Sequence, residues 1–290
     1  MTIWNLGSIN ADLVYAVPHL PGPGETLAAT SMTRGMGGKG ANMSVAAARA
    51  GAQVMHIGAL GADGAWARDR LQDYGVDTSH IATLDHPMGH AVIAVDRKGE
   101  NSILLFPGAN VEIAQSTVRD ALAQAVPGDT VLIQNETNNQ AFCAETGSKL
   151  GLRVAYAAAP FDAQAVASVL PCLDFLILNE VEAEQLFAAT GKRPADLDVT
   201  DVIVTLGARG CSWFDNANHS QRDFAALKVT PVDTTGAGDT FTGYVLAGLD
   251  AGLSMQEAIA QATRAGALMV TRAGAADVIP TLSEVRAAPF

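Results

Sequence analysis

The run Asp233-Thr-Thr-Gly-Ala-Gly-Asp239 sets two glycines and an acid at the start of a helical pattern that continues to Ala251. Glycines at a helix start let an anion approach bare backbone N–H groups, and the macrodipole favours negative charge there. Such a place can cradle a phosphate, or the charge that develops as a phosphoryl group moves. An acid within it is unexpected, because Asp239 would repel a bound anion unless a third group lay between them, such as a hydroxyl about to lose its proton. That combination describes a base beside an anion hole. It also describes an acid complementing a helix N-terminus behind a simple turn, and this run alone leaves both readings open.

A second run, Gly35-Met-Gly-Gly-Lys-Gly-Ala-Asn42, leads into helical residues Ser44–Ala50. It matches G-x-G-x-x-G, but a dinucleotide site needs that motif to leave a core strand, and Ser31-Met-Thr-Arg34 is a poor one. It is not a P-loop either, since Lys39 is followed by Gly40 rather than Ser or Thr. What remains is a glycine loop whose Lys39 and Asn42 can hydrogen-bond a polyhydroxylated ligand, or a plain turn. Asn179-Glu-Val-Glu182 follows an apolar strand, where oxygen-rich side chains suit Mg²⁺ but also form an ordinary helix cap. Thr205-Leu-Gly-Ala-Arg-Gly210 could wall a nucleotide or make a hairpin. Asn10 and Asp12, read at the end of the first strand, and Glu136, at the end of another, could grip hydroxyls or serve as turn residues.

The elements that must position these groups alternate in type. Short apolar runs at Val54–Leu60, Thr130–Gln134, Leu152–Tyr156, Phe175–Leu178 and Val202–Leu206 are separated by turns and amphipathic segments. Helical patterns cover Asn42–Ala50, Ala65–Tyr74, Glu180–Thr190, Gly238–Ala251 and Met255–Thr271. This predicts an α/β fold, a three-layer α/β/α sandwich on a mostly parallel sheet. Ala226–Val232 reads as a further strand ahead of the Asp233 run. Residues of about 12–34 and 90–106 read as strands without intervening helices, with Asp96–Asn101 as a hairpin turn. They predict a small β-sheet lid inserted into a single domain of residues 1–290.

Composition sets limits on partners. A formal charge of −12 argues against a nucleic-acid or anionic-lipid surface, so a polyphosphate would be held locally by amides, metal ions and a few cations. The three cysteines, Cys143, Cys172 and Cys211, have no metal-site spacing and suit a reduced, cytoplasmic chain. The expectation is of no export signal, no membrane span and no nucleic-acid partner.

Together these runs resemble the ribokinase-like (PfkB) family of carbohydrate kinases, in the right order over nearly the whole chain. One family pattern looks like Gly37-Gly-Lys-Gly-Ala-Asn42 with Gly51 and Gly61, the other like Asp233–Asp239. The likeness is greatest to the ribokinases, through Gly7-Ser-Ile-Asn-Ala-Asp12, Pro21-Gly-Pro-Gly-Glu-Thr26, Gly99-Glu-Asn101, Asn179-Glu-Val-Glu-Ala-Glu184 and Val270-Thr-Arg-Ala-Gly-Ala275. The resemblance implies ATP-dependent phosphorylation of the primary hydroxyl of a pentose, D-ribose first, with another sugar or a nucleoside as alternative. Asp239 would be the base and Gly236, Ala237 and Gly238 the anion hole. Asn10, Asp12, Gly38, Lys39, Asn42 and Glu136 would hold the sugar. Asn179 and Glu182 would organise Mg²⁺ and phosphates, and Thr205 and Gly207 would line the ATP site. A K⁺ ion would sit among Asp233, Thr235, Met269, Arg272 and Gly274, and the lid would form a homodimer interface. Tyr244, Ala157-Ala-Ala-Pro160 and Val278 depart from the family pattern. From other classes, a non-catalytic sugar or nucleotide sensor and a dinucleotide-dependent oxidoreductase are separable by assay.

Overall fold

Val131, Leu132 and Ile133 are all buried on one strand, and the outer two pack in a different apolar cluster from the middle one. The same alternation recurs at Val154/Ala155/Tyr156 and Phe175/Leu176/Ile177. Strand side chains point to opposite faces in turn, so consecutive apolar residues require a sheet covered on both sides.

The structure, a computed structural model, describes residues 1–290. Its strands are β1 (Thr2–Leu6), β2 (Asn10–Ala16), β3 (Ser31–Gly37), β4 (Gln53–Gly61), β5 (Val76–Leu84), β6 (Gly89–Val95), β7 (Asn101–Phe106), β8 (Thr130–Gln134), β9 (Arg153–Ala157), β10 (Phe175–Asn179), β11 (Asp201–Thr205), β12 (Cys211–Asp215) and β13 (Ser220–Phe224). Its helices are α1 (Lys39–Arg49), α2 (Ala65–Asp73), α3 (Gln115–Leu122), α4 (Gln140–Lys149), α5 (Ala163–Val169), α6 (Glu180–Thr190), α7 (Ala237–Asp250), α8 (Met255–Met269) and α9 (Leu282–Ala287).

Nine strands form one sheet in the order β13-β12-β11-β10-β9-β8-β1-β4-β5, parallel except at the β12 and β13 edge. Helices α1, α2, α7, α8 and α9 bury their apolar sides on one face and α3 to α6 on the other, making a three-layer sandwich. A second, four-stranded sheet has the order β3-β2-β6-β7. No helix is long and apolar enough to cross a membrane.

The packing of α1 on α7 is what brings the two glycine runs together. A Cβ on Gly243 would lie 2.6 Å from the Ala46 Cβ and 2.6 Å from the Met43 carbonyl, so the two helices touch backbone to backbone. Asn42 and Asp239 sit one turn before Ala46 and Gly243 respectively, and therefore face each other across the same seam. Tyr244, next along α7, is fully buried and donates its hydroxyl to the Pro280 carbonyl at 2.7 Å. The bulk that departs from the family pattern is thus taken up by the C-terminal segment, away from the Asp239 side.

Four local expectations are corrected. Ala226–Val232 is not a strand: Ser220–Phe224 already forms the sheet edge, and the following residues, with Pro231 among them, cross the sheet end as a loop. Asn10 and Asp12 lie on β2 of the smaller sheet rather than at the end of β1. Gly35–Gly37 complete β3, leaving Gly38 alone as the turn. Helix α1 begins at Lys39, earlier than its local pattern indicates, because Ser8 caps it from a distance. The Ser8 carbonyl accepts the Ala41 N–H at 2.8 Å and its hydroxyl the Gly40 N–H at 3.3 Å.

Candidate active site

Asp239 stands in the first turn of α7, behind an N-cap glycine, Gly236, in the left-handed conformation (φ 72°). The N–H groups of Gly236 and Gly238 have no partner within the chain, as expected at a helix start, whereas that of Ala237 turns onto the Thr234 carbonyl at 3.2 Å. Asp239 is 8% exposed and accepts a hydrogen bond from Asn42 Nδ2 at 2.8 Å. The oxygen of the same Asn42 amide, Oδ1, is buried without a partner. Burial pushes the Asp239 carboxyl above the usual range, while Lys39 and Asn42 pull it back and Glu136 adds to the rise. A carboxylate whose neighbours oppose each other in this way can take and return a proton.

Lys39, at the first turn of α1, is largely buried among acids. Burial disfavours its ammonium, yet Asp239, Glu136 and Glu182 together outweigh that and raise it above the ordinary lysine value. Glu136, just beyond β8, accepts the Lys39 backbone N–H at 3.0 Å and the Ser8 hydroxyl at 2.6 Å. Asp12 on β2 is pushed up to about 6, first by burial and then by Glu136, Asp239 and Asp277. No group of the chain donates a hydrogen bond to its carboxyl, which leaves both oxygens for a ligand. Asn10 is buried, and its Oδ1 accepts from Asn110 Nδ2 at 2.7 Å. Gly38 lies between these groups, at the turn that passes Ser8 and Asn10. Asn10, Asp12, Gly38, Lys39, Asn42, Glu136 and Asp239 therefore converge, although they come from β2, α1, the end of β8 and α7.

On the other side of Gly238 lies a cleft of about 390 Å³. Thr205 and Gly207 line it, with Ala237 and Gly238 at its inner end. Its walls are mainly small and apolar: Leu227, Val229 and Pro231 from the loop that read as a strand, and Gly266, Ala267 and Val270 from the end of α8. A flat ring fits such walls. Asn179 does not line the cleft but pairs in register with Thr205 on the neighbouring strand.

Asn179 and Glu182 form a reciprocal capping box at the start of α6: Asn179 Oδ1 accepts the Glu182 N–H at 2.8 Å, and Glu182 Oε2 accepts the Asn179 N–H at 2.7 Å. Glu182 keeps its second oxygen free, and burial raises its carboxyl while Lys39 counteracts. Asp233 accepts from the N–H groups of Thr235 (2.9 Å) and Gly274 (3.0 Å), tying together the two loops read as a cation site. Burial works to raise the Asp233 carboxyl, but these hydrogen bonds prevail and hold it below the usual range. The Met269 carbonyl accepts the Arg272 N–H at 2.9 Å, and Val278 packs its methyls beside Gly274 where it supplies no oxygen.

Sequence reasoning did not single out the roles of Ser8, Asn110 or Asp277, or the apolar cleft walls. Ser8 lies in the Gly7–Asp12 run with no local sign of its role, and Asn110 and Asp277 carry no local signal, because their side-chain partners are 100 or more residues away.

The sequence matches the family described as pfkB family carbohydrate kinase over residues 2–282. The chain belongs to that family. A ribokinase of Haemophilus influenzae is 38% identical over 302 residues, covering 98% of this chain and 96% of the relative. Among solved structures, a ribokinase of Cryptococcus neoformans in complex with ADP has a TM-score of 0.86 at 33% identity, covering 99% of this chain and 98% of that one. The Arabidopsis thaliana ribokinase complexed with ribose and ATP has a TM-score of 0.84 at 29% identity, covering 99% and 97%. This pfkB-family chain is accordingly a sugar phosphotransferase of ribokinase-like fold.

Proposed function

We propose that the chain transfers the γ-phosphoryl group of ATP to the primary hydroxyl of D-ribose, with Asp239 as the base. The observation that carries this reading is the place of Asp239. It is buried and bonded to Asn42, between a group of convergent polar side chains and an apolar cleft lined by Ala237 and Gly238 of α7. Asn10, Asp12, Lys39, Asn42 and Glu136 would fix the sugar hydroxyls so that the primary one faces Asp239. Asp239 would take its proton as the oxygen attacks, while the Gly236 and Gly238 N–H groups stabilise charge on the moving phosphoryl group. Thr205 and Gly207 would wall the nucleotide.

No three His, Cys, Asp or Glu side chains are placed to hold a metal ion by themselves, so a Mg²⁺ ion would rest mainly on the nucleotide's phosphates, with the free oxygen of Glu182 and waters completing its shell. Such an ion neutralises phosphate charge. The loops joined by Asp233 would hold a K⁺ ion through the carbonyls of Thr235, Met269, Arg272 and Gly274, an oxygen-only donor set of the kind such an ion takes, with one ligand fewer where Val278 stands. The exposed apolar residues Ile103, Leu104, Leu105 and Phe106 on β7 support a homodimer through the smaller sheet. The reading is tested by coupled ADP release over a panel of pentoses, hexoses and nucleosides, with and without K⁺. Ribose should give the highest kcat/KM, and a panel with no turnover would dispose of the assignment.

A further inference from the structure

His56 on β4 is completely buried and bonds to two groups that lead toward the sugar pocket. Its Nε2 lies 3.0 Å from the Gly7 carbonyl, which can only accept, so Nε2 carries the proton. Burial pushes the ring down to about 4, so it is neutral, and Nδ1 must then accept from the Ser44 hydroxyl at 2.8 Å. With its proton directed at His56, Ser44 Oγ accepts from Asn5 Nδ2 at 2.8 Å. The same Asn5 Nδ2 donates to the Gly40 carbonyl at 2.8 Å, which fixes the amide's orientation and turns Asn5 Oδ1 to Gln134 Nε2 at 2.7 Å. Every link from Gln134 through Asn5, Ser44 and His56 to Gly7 thus has one allowed direction.

The chain of bonds ends where side chains cannot hold the backbone. Gly7 and Gly40 cross so closely that a Cβ on either would come within 2.3–2.5 Å of the other's Cα. No side chain of Gly7 or Gly40 interlocks there, so Gly7 itself is held by its hydrogen bonds, the one from His56 and that of its own N–H to the Ile57 carbonyl at 3.0 Å, and these help to set Ser8 after it. Ser8 in turn caps α1 and gives its hydroxyl to Glu136, whose same oxygen holds the Lys39 N–H.

We infer that His56 is a positioning residue for the sugar pocket: through Ser44 and the Gly7 carbonyl it sets Ser8, and Ser8 sets Glu136 and Lys39. The inference deepens the proposed function and rests on Glu136 and Lys39 holding the sugar. It assigns a role in sugar affinity to a side chain that touches neither substrate.

The test is His56→Phe, which keeps a flat ring, somewhat larger, and removes both bonds, beside His56→Gln, whose amide can again accept and donate. Sugar KM should rise at least about fivefold in His56→Phe while nucleotide KM and kcat, normalised to active sites, stay within about twofold. His56→Gln should recover much of the loss. In the unliganded protein, the amides of Lys39, Gly40 and Ala41 should exchange hydrogen faster than in wild type, with α7 unchanged. Unaltered sugar KM together with unaltered exchange at Lys39–Ala41 would overturn the inference. If His56→Phe does not fold, Ser44→Ala, which deletes one hydroxyl, decides by the same two readouts. A wild-type protein that turns over no sugar would count against the kinase reading alone, and the exchange rates would still decide the role of His56.

Discussion

Replacing Asp12 by Asn should stabilise the free protein and weaken its hold on sugar. In the folded chain the Asp12 carboxyl titrates at about 6 against an ordinary 3.8, because burial and then the charges of Glu136, Asp239 and Asp277 oppose its ionisation. The native state therefore binds more protons than the unfolded chain between these two values, and stability falls as pH rises through that window. Below about pH 4 the group is protonated in both states and contributes nothing. Above about pH 6 to 7 the full cost is present, about 3 kcal/mol at ~1.4 kcal/mol per unit. Asp12→Asn removes that cost, so its melting temperature should exceed wild type by on the order of 5 °C at pH 7.5, with the gain vanishing near pH 4. The same variant should raise the sugar KM roughly tenfold or more, since an amide replaces a charged acceptor. Thermal unfolding from pH 4 to 8 with calorimetric sugar titration reads both effects. A variant less stable than wild type at pH 7.5, or one equally stabilised at every pH, would refute the electrostatic argument.

Tyr244→Phe leaves the buried Pro280 carbonyl without its donor and should cost about 1–3 kcal/mol in urea unfolding. Both KM values should stay at wild type, because the hydroxyl points away from Asp239. Leu104→Glu, at a side chain 72% exposed on β7, should shift the protein to monomer in sedimentation, while a wild type that is already monomeric would remove the proposed interface.

The parts of the fold that could be read from the sequence are those with local causes. Helix α6 was expected to span Glu180–Thr190 and does, since Asn179 and Glu182 make a capping box and Gly191 takes the left-handed conformation that ends it. The strands at Thr130–Gln134 and Phe175–Leu178 were legible as apolar runs buried on both faces. The misplaced elements depend on distant partners. Ala226–Val232 has the composition of a strand but meets no free sheet edge, and it walls the cleft instead. The start of α1 carries no local signal because its cap, Ser8, is 32 residues upstream of Gly40. Within the site, Asp239, Lys39 and Asn42 were legible from glycine runs. Their mutual contact was not, because it depends on the Gly243–Ala46 approach between α7 and α1. The capping box leaves room for the proposed metal role as well. Glu182 caps α6 with one oxygen, keeps the other free of partners, and feels the charge of Lys39.

The claim that Asp239 is the base is tested most directly by single-turnover phosphorylation with Asp239→Asn beside wild type, with sugar affinity measured by calorimetry on the same preparations. Removing a positioned base should lower the rate by at least about 10²-fold while the sugar dissociation constant stays within about threefold. Turnover close to wild type in Asp239→Asn, with sugar binding intact, would contradict the account.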